Sequence, residues 1–217
     1  MATMEIVILT KSSKRKGYCV AGIDLRTGEW VRLVSSDQVS DGALSDEDMT
    51  GSNGHIVTPL DIIRTDIERW EPLGCQEENA VLRPGRRWTF LRTASFDEVL
   101  KICPKCATEY IYGTNGKYIT EEIVTDMHGS LLLAEITDLT VYRNEFNKLK
   151  CSFIYNGHEY HDMSMTDPDY YRYEKCKVGN AHIVVSLPHC DYNGKYYKFV
   201  AKIFPKCPPT EYVTALL

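Results

Sequence analysis

Six polar residues stand together near the start of the chain: Lys11, Ser12, Ser13, Lys14, Arg15 and Lys16. Four cations and two hydroxyls in one run supply both the charge and the directed donors that a phosphate needs. Gly17 follows, where a bare backbone can approach an anion closely. Tyr18, Trp30 and Arg32 come next, and side chains on a strand alternate, so Trp30 and Arg32 share a face. An aromatic plane beside a guanidinium can stack on a base. The competing reading is a solvated lysine loop with Trp30 in a core.

A second stretch, "CQEENAVLRPGRRW", sets Gln76, Glu78 and Asn79 beside Arg83, Arg86 and Arg87. Amide and carboxylate groups read hydrogen-bonding edges while arginines meet phosphate, which suits a nucleotide. A polar turn with surface arginines is the plainer alternative.

Other constellations carry less. Cys103 and Cys106 have the C-x-x-C spacing of half a zinc site, but no second such pair follows, and a tetrahedral site needs four ligands. The pair follows a predicted helix rather than opening one, so it lacks the field that activates a redox thiol. His158 and His161, three apart on a strand, are expected on opposite faces and not on one metal. Glycine-rich phosphate loops and metalloprotease motifs are absent, and no nucleophile, base and orienter can be assembled, which counts against an enzyme. No cofactor is called for.

The charge pattern narrows the partners. The chain has 217 residues and a formal net charge of -5. Residues 1–36 hold six basic and three acidic side chains, residues 37–79 two and eleven, and residues 80–107 six and two. A general nucleic-acid coat would be basic throughout. This chain offers two basic islands flanking an acidic segment. If the islands converge on a ligand, the acidic segment must loop out between them; alternatively, it meets a basic protein partner. No apolar run is long enough to cross a bilayer, and the N-terminus lacks a secretory core, so a cytoplasmic protein without membrane contact is expected.

The elements that must position these residues are mostly strands. "GYCVAGIDL" and "EWVRLVS" flank "RTG", a hairpin turn with Gly28 at the left-handed position. "LDIIRTDIERW", bracketed by Pro59 and Pro72, reads as a bent strand. Ser95 with Glu98 forms a capping box for a helix that Pro104 ends. Asp167 and Pro168 open a second short helix. From residue 129, "SLLLAEITDLTVYR", "LKCSFIY", "EYHDMSM", "AHIVVSL" and "KYYKFVAKIF" read as five strands. Asn156-Gly157, Asn193-Gly194 and Asn115-Gly116 all read as hairpin turns. The expected fold is all-β with one or two short helices: a barrel over residues 1–93, a helix-containing connector over 94–128 and a barrel over 129–217.

The order of "LTKSSKRKGYCVAGID", "TGEWVRLVS", "PLDII", "QEEN", "YNGHEYHDMSMTDP" and "VVSLPHCDYNGKYYKFVAKI" resembles the dual OB-containing domain family of prokaryotic proteins. That resemblance spans nearly the whole chain. It implies two OB-like barrels in tandem and a binding role toward nucleic acid or nucleotides in bacterial conflict systems. The sequence thus leads to a non-catalytic sensor of single-stranded nucleic acid or a nucleotide. A small-molecule nucleotide-signal binder and a protein-interaction adaptor are the alternatives.

Overall fold

β-branched and aromatic residues in short alternating runs, broken by Gly, Pro and Asn, commit the first half to strands. In the computed structural model, which describes residues 2–14, 17–37 and 40–214, these are β1 (Ala2–Lys14), β2 (Gly17–Asp24), β3 (Trp30–Val34), β4 (Asp61–Trp70), β5 (Asn79–Leu82) and β6 (Thr89–Thr93), followed by helix α1 (Phe96–Ile102). Gly28 takes φ 74° in the β2–β3 turn, as its turn chemistry predicts, and its N–H donates to Asp24 O at 2.8 Å. Ser95 and Glu98 make the reciprocal capping box of α1. β4 is the bent strand, with a register shift between Ile67 and Arg69.

Hydrogen bonding joins the strands in the ring β1–β2–β3–β5–β4–β1. β3 and β5 run parallel and the other pairs antiparallel. β6 lies outside the ring on the first half of β4. Ile6, Ile8, Val20, Val31, Leu33, Ile63 and Ile67 point into the ring, where Leu44, Met49, Val57 and Trp88 from the connections fill it. Closure removes the edges that strands of this length would otherwise expose.

The second half repeats the plan. Its elements are β7 (Tyr118–Ile119), α2 (Glu121–Thr125), β8 (Leu131–Arg143), β9 (Leu149–Tyr155), β10 (His158–Met165), β11 (Tyr173–Ser186), β12 (Tyr196–Tyr197), β13 (Phe199–Pro205) and β14 (Glu211–Thr214). The ring is β8–β9–β10–β13–β11–β8, with β10 and β13 parallel and β14 added to the first half of β11. Each half therefore shows the strand order 1-2-3-5-4-1 with strands 3 and 5 parallel. Phe153, Tyr155, Tyr160 and Met163 lead its core, and the Phe153 and Tyr160 rings stack at 5.2 Å.

The chain divides into two compact units, Met1–Pro104 and Lys105–Leu217. Among the described residues no helix is long and apolar enough to cross a membrane. Of three local readings, one holds and two need correction. Asn156 and Gly157 take φ 49° and 79° and turn β9 into β10. Asn115-Gly116 makes no such turn: the left-handed residues nearby are Tyr112 and Gly113, and β7 pairs with β12 rather than with its own neighbour. The expected helix after Asp167 is one 3-10 turn, Pro168–Tyr170, with the Asp167 carboxylate accepting from Asp169 N–H at 3.1 Å.

Candidate functional site

Strand direction decides which connections meet. β1, β3 and β5 all run toward one end of the first barrel, and β4 starts there. The end of β1, the start of β2, the described residues of 35–60 and residues 83–88 therefore share that end. Lys11 Nζ lies 5.0 Å from the centre of the Tyr18 ring, a cation–π contact. Tyr18 is partly buried against the core below it, and Ser12 is buried. Arg83 is half-buried, while Arg86 and Arg87 are exposed on the turn after β5. Arg15 and Lys16 lie outside the described residues.

The acidic segment does not loop out between the basic islands. It is seated on the same end, because Ala43, Leu44, Met49 and Val57 bury their apolar side chains there. Tyr18 and Leu44 exchange backbone hydrogen bonds of 2.9 Å each. Lys14 pairs with the Asp41 carboxylate at 2.9 Å and also bonds its carbonyl oxygen. Arg87 lies 3.8 Å from Glu47. Such exposed pairs are worth about 1 kcal/mol or less each. They screen the basic end without closing it.

Trp30 and Arg32 do share a face, opposite the inward Val31 and Leu33. Arg32 is only 4% exposed, however, and its Nε and terminal nitrogen each reach Glu78 Oε1 at 3.3 Å. Gln76 and Asn79 are buried as well, with Asn79 Nδ2 donating to Gln76 Oε1 at 3.4 Å. Strand pairing of Arg32 with Asn79 draws these residues into one internal polar cluster on the side of the barrel.

Cys106 Sγ sits beside Tyr155 Oη at 3.3 Å and Thr108 Oγ1 at 3.2 Å. Among the described residues no three His, Cys, Asp or Glu side chains gather closely enough to hold a metal. His158 stacks on Tyr110 at 4.4 Å, and His161 pairs with Glu159 at 3.0 Å.

A polar face on the second barrel escaped the sequence reading. β10 bulges between Tyr160 and Met163, with Asp162 at φ 51°, and this turns the carboxylate toward β8 and β9. One Asp162 oxygen accepts from Tyr142 Oη at 2.5 Å, and the other pairs with Lys117 at 3.0 Å. Tyr142 also meets Ser152 Oγ at 3.1 Å, and Lys150 Nζ donates to Ser164 Oγ at 2.9 Å. The Tyr142 and Lys117 bonds hold the Asp162 carboxyl below its ordinary range. Burial, aided by Asp162, raises the Tyr142 phenol. Beside Lys117, Tyr118 and Tyr197 face each other at 5.6 Å, with Lys195 over the Tyr118 ring at 4.4 Å. The repeated Lys-Tyr steps of "GKYI" and "GKYY" were the available signal, and they lie next to the Asn-Gly pairs that drew attention instead.

A closed five-stranded ring in the order 1-2-3-5-4-1 defines the OB-fold, a binding architecture that uses strands 2 and 3 with their adjoining loops. Two such rings in one chain support a binding role. The chain belongs to the dual OB-containing domain family, whose family model matches residues 4–203. No curated protein matches it, and no solved structure does.

Proposed function

We propose that this protein binds single-stranded nucleic acid or a nucleotide at the basic end of its first barrel, and that it acts as a sensor rather than a catalyst. The observation that carries the reading is convergence. Lys11, Lys14, Arg83, Arg86 and Arg87 are far apart in sequence, yet parallel β3 and β5 deliver them to one end. Asp41 and Glu47 on the same end limit the free positive charge, which favours a short ligand over a long wrapped strand. Their attachment to the chain's own cations also weighs against an acidic adaptor surface. A role in bacterial defence is the setting that the family resemblance implies.

Fluorescence anisotropy with labelled oligothymidylate tests this. With two to three phosphates of a single strand neutralised, affinity falls about sevenfold to twentyfold between ~50 and ~200 mM salt. Replacing Lys14, Arg86 and Arg87 together by Ala should abolish most of that dependence. Affinity that ignores both salt and the triple substitution refutes the reading.

A further inference from the structure

The second barrel holds a charge arrangement that the basic end of the first barrel does not use. Lys150, on β9, is half-buried. Its one hydrogen-bond partner among the described residues is Ser164 Oγ, at 2.9 Å, and no described carboxylate lies within ion-pair distance. An ammonium carries three donors, so two remain for another acceptor. Asp162 is the nearby carboxylate, and it is already committed to Tyr142 and Lys117. Tyr142, the cross-strand partner of Lys150, bonds the same Asp162 carboxylate that Lys117 pairs with, which brings the two lysines to one face. Burial first, and Lys117 next, push the Lys150 ammonium below its usual range.

Two ammonium groups on one face, with a single carboxylate that pairs with Lys117 alone, leave the face short of negative charge. Tyr142, Lys150 and Asp162 stand on β8, β9 and the bulge of β10, where the sheet holds them in place, and the Asp162 carboxylate holds Lys117, which lies just before β7. Ser152 and Ser164 add hydroxyls on the same two strands. Next to Lys117 is the Tyr118–Tyr197 ring pair, with Tyr118 37% exposed. A planar group can rest there while an anion reaches the lysines.

We propose that this face is a second binding site, taking the phosphate monoester of a nucleotide between Lys150 and Lys117, with the base against Tyr118 and Tyr197. Two charged hydrogen bonds to a phosphate dianion supply the missing counter-charge. The site is on the other barrel from the basic end and stands independently of it.

Isothermal titration of the full chain with AMP, adenosine and inorganic phosphate tests the assignment. AMP should bind, with adenosine and inorganic phosphate each at least about tenfold weaker, since each lacks one half of the recognition. Lys150→Met and Lys117→Met should each weaken AMP about tenfold or more. In the Lys14→Ala/Arg86→Ala/Arg87→Ala background, which removes first-barrel cations, AMP should still bind and Lys150→Met should still weaken it. In the wild-type chain AMP should also shield Lys150 from acetic anhydride, a readout that needs no variant to fold. Absence of AMP binding at millimolar concentration overturns the proposal, as does an affinity unaltered by Lys150→Met. Inorganic phosphate binding as tightly as AMP overturns the nucleotide assignment. Loss of AMP binding in the triple variant alone would move the nucleotide to the first barrel.

Discussion

Lys198 is fully buried in the second barrel, and its ammonium meets only neutral oxygens. It donates to Ile111 O at 2.6 Å, Thr114 O at 2.7 Å and Thr114 Oγ1 at 2.8 Å, beside the face of Tyr160. No described carboxylate pairs with it. Burial without a counter-ion brings its pKa from 10.5 down to about 7. In the unfolded chain the amine titrates near its ordinary value. Between these two pH values the unfolded chain holds the proton and the folded one releases it, so stability rises as pH increases. Below pH ~7 both states are charged, and the cost of burying the ammonium is present in full. At ~1.4 kcal/mol per pH unit the whole displacement is worth up to ~5 kcal/mol, of which ~2 kcal/mol falls between pH 7 and 9. Lys198→Met keeps an unbranched chain of similar length and removes the titration. Urea unfolding of both proteins at pH 6.5 and 9 is the assay. The wild-type advantage over the Met variant should grow by about 2–3 kcal/mol toward pH 9. An advantage that is constant, or that shrinks with rising pH, means that the three oxygens keep the ammonium charged at little cost, and the reasoning fails.

Two further outcomes follow from close contacts in the first barrel. A Cβ on Gly22 would lie 2.0 Å from Val7 O, where β1 shifts register against β2, so Gly22→Ala should lower stability by about 2–4 kcal/mol in denaturant unfolding; an unchanged midpoint would show that β1 can move aside. Arg32→Met takes the guanidinium from the buried Glu78 carboxylate and should cost about 3–5 kcal/mol, while Arg32→Met with Glu78→Met should recover most of it. Equal losses in the single and double variants would mean that the pair itself holds β3 to the β4–β5 connection.

What could be read directly was local. The Gly28 turn, the Ser95–Glu98 box and the Asn156-Gly157 hairpin each involve residues within a few positions, so their geometry is written in neighbouring chemistry. Strand alternation placed Trp30 and Arg32 on one face for the same reason. Asn115-Gly116 misled because a distant group governs that segment: Lys198 clamps the carbonyls of Ile111 and Thr114 from 87 and 84 residues away. In "HEYHD", Asp162 reads only as a solvent-facing or cross-strand polar residue, because its direction depends on a bulge that exists only once β9 and β10 are paired.

The binding surfaces divide along the same line. By itself the amino-acid sequence determined an all-β chain, two basic islands and an acidic stretch between them, because strand propensity and net charge are sums over nearby residues. Only the tertiary structure decided what those charges face. Parallel pairing of β3 with β5 carried Arg83, Arg86 and Arg87 to the Lys14 end, and apolar burial of Leu44 and Met49 seated the acidic segment on that end. Glu78, 46 residues from Arg32, turned an apparent ligand contact into an internal ion pair. Pairwise charge and packing between distant residues depend on ring closure, and no local pattern encodes that.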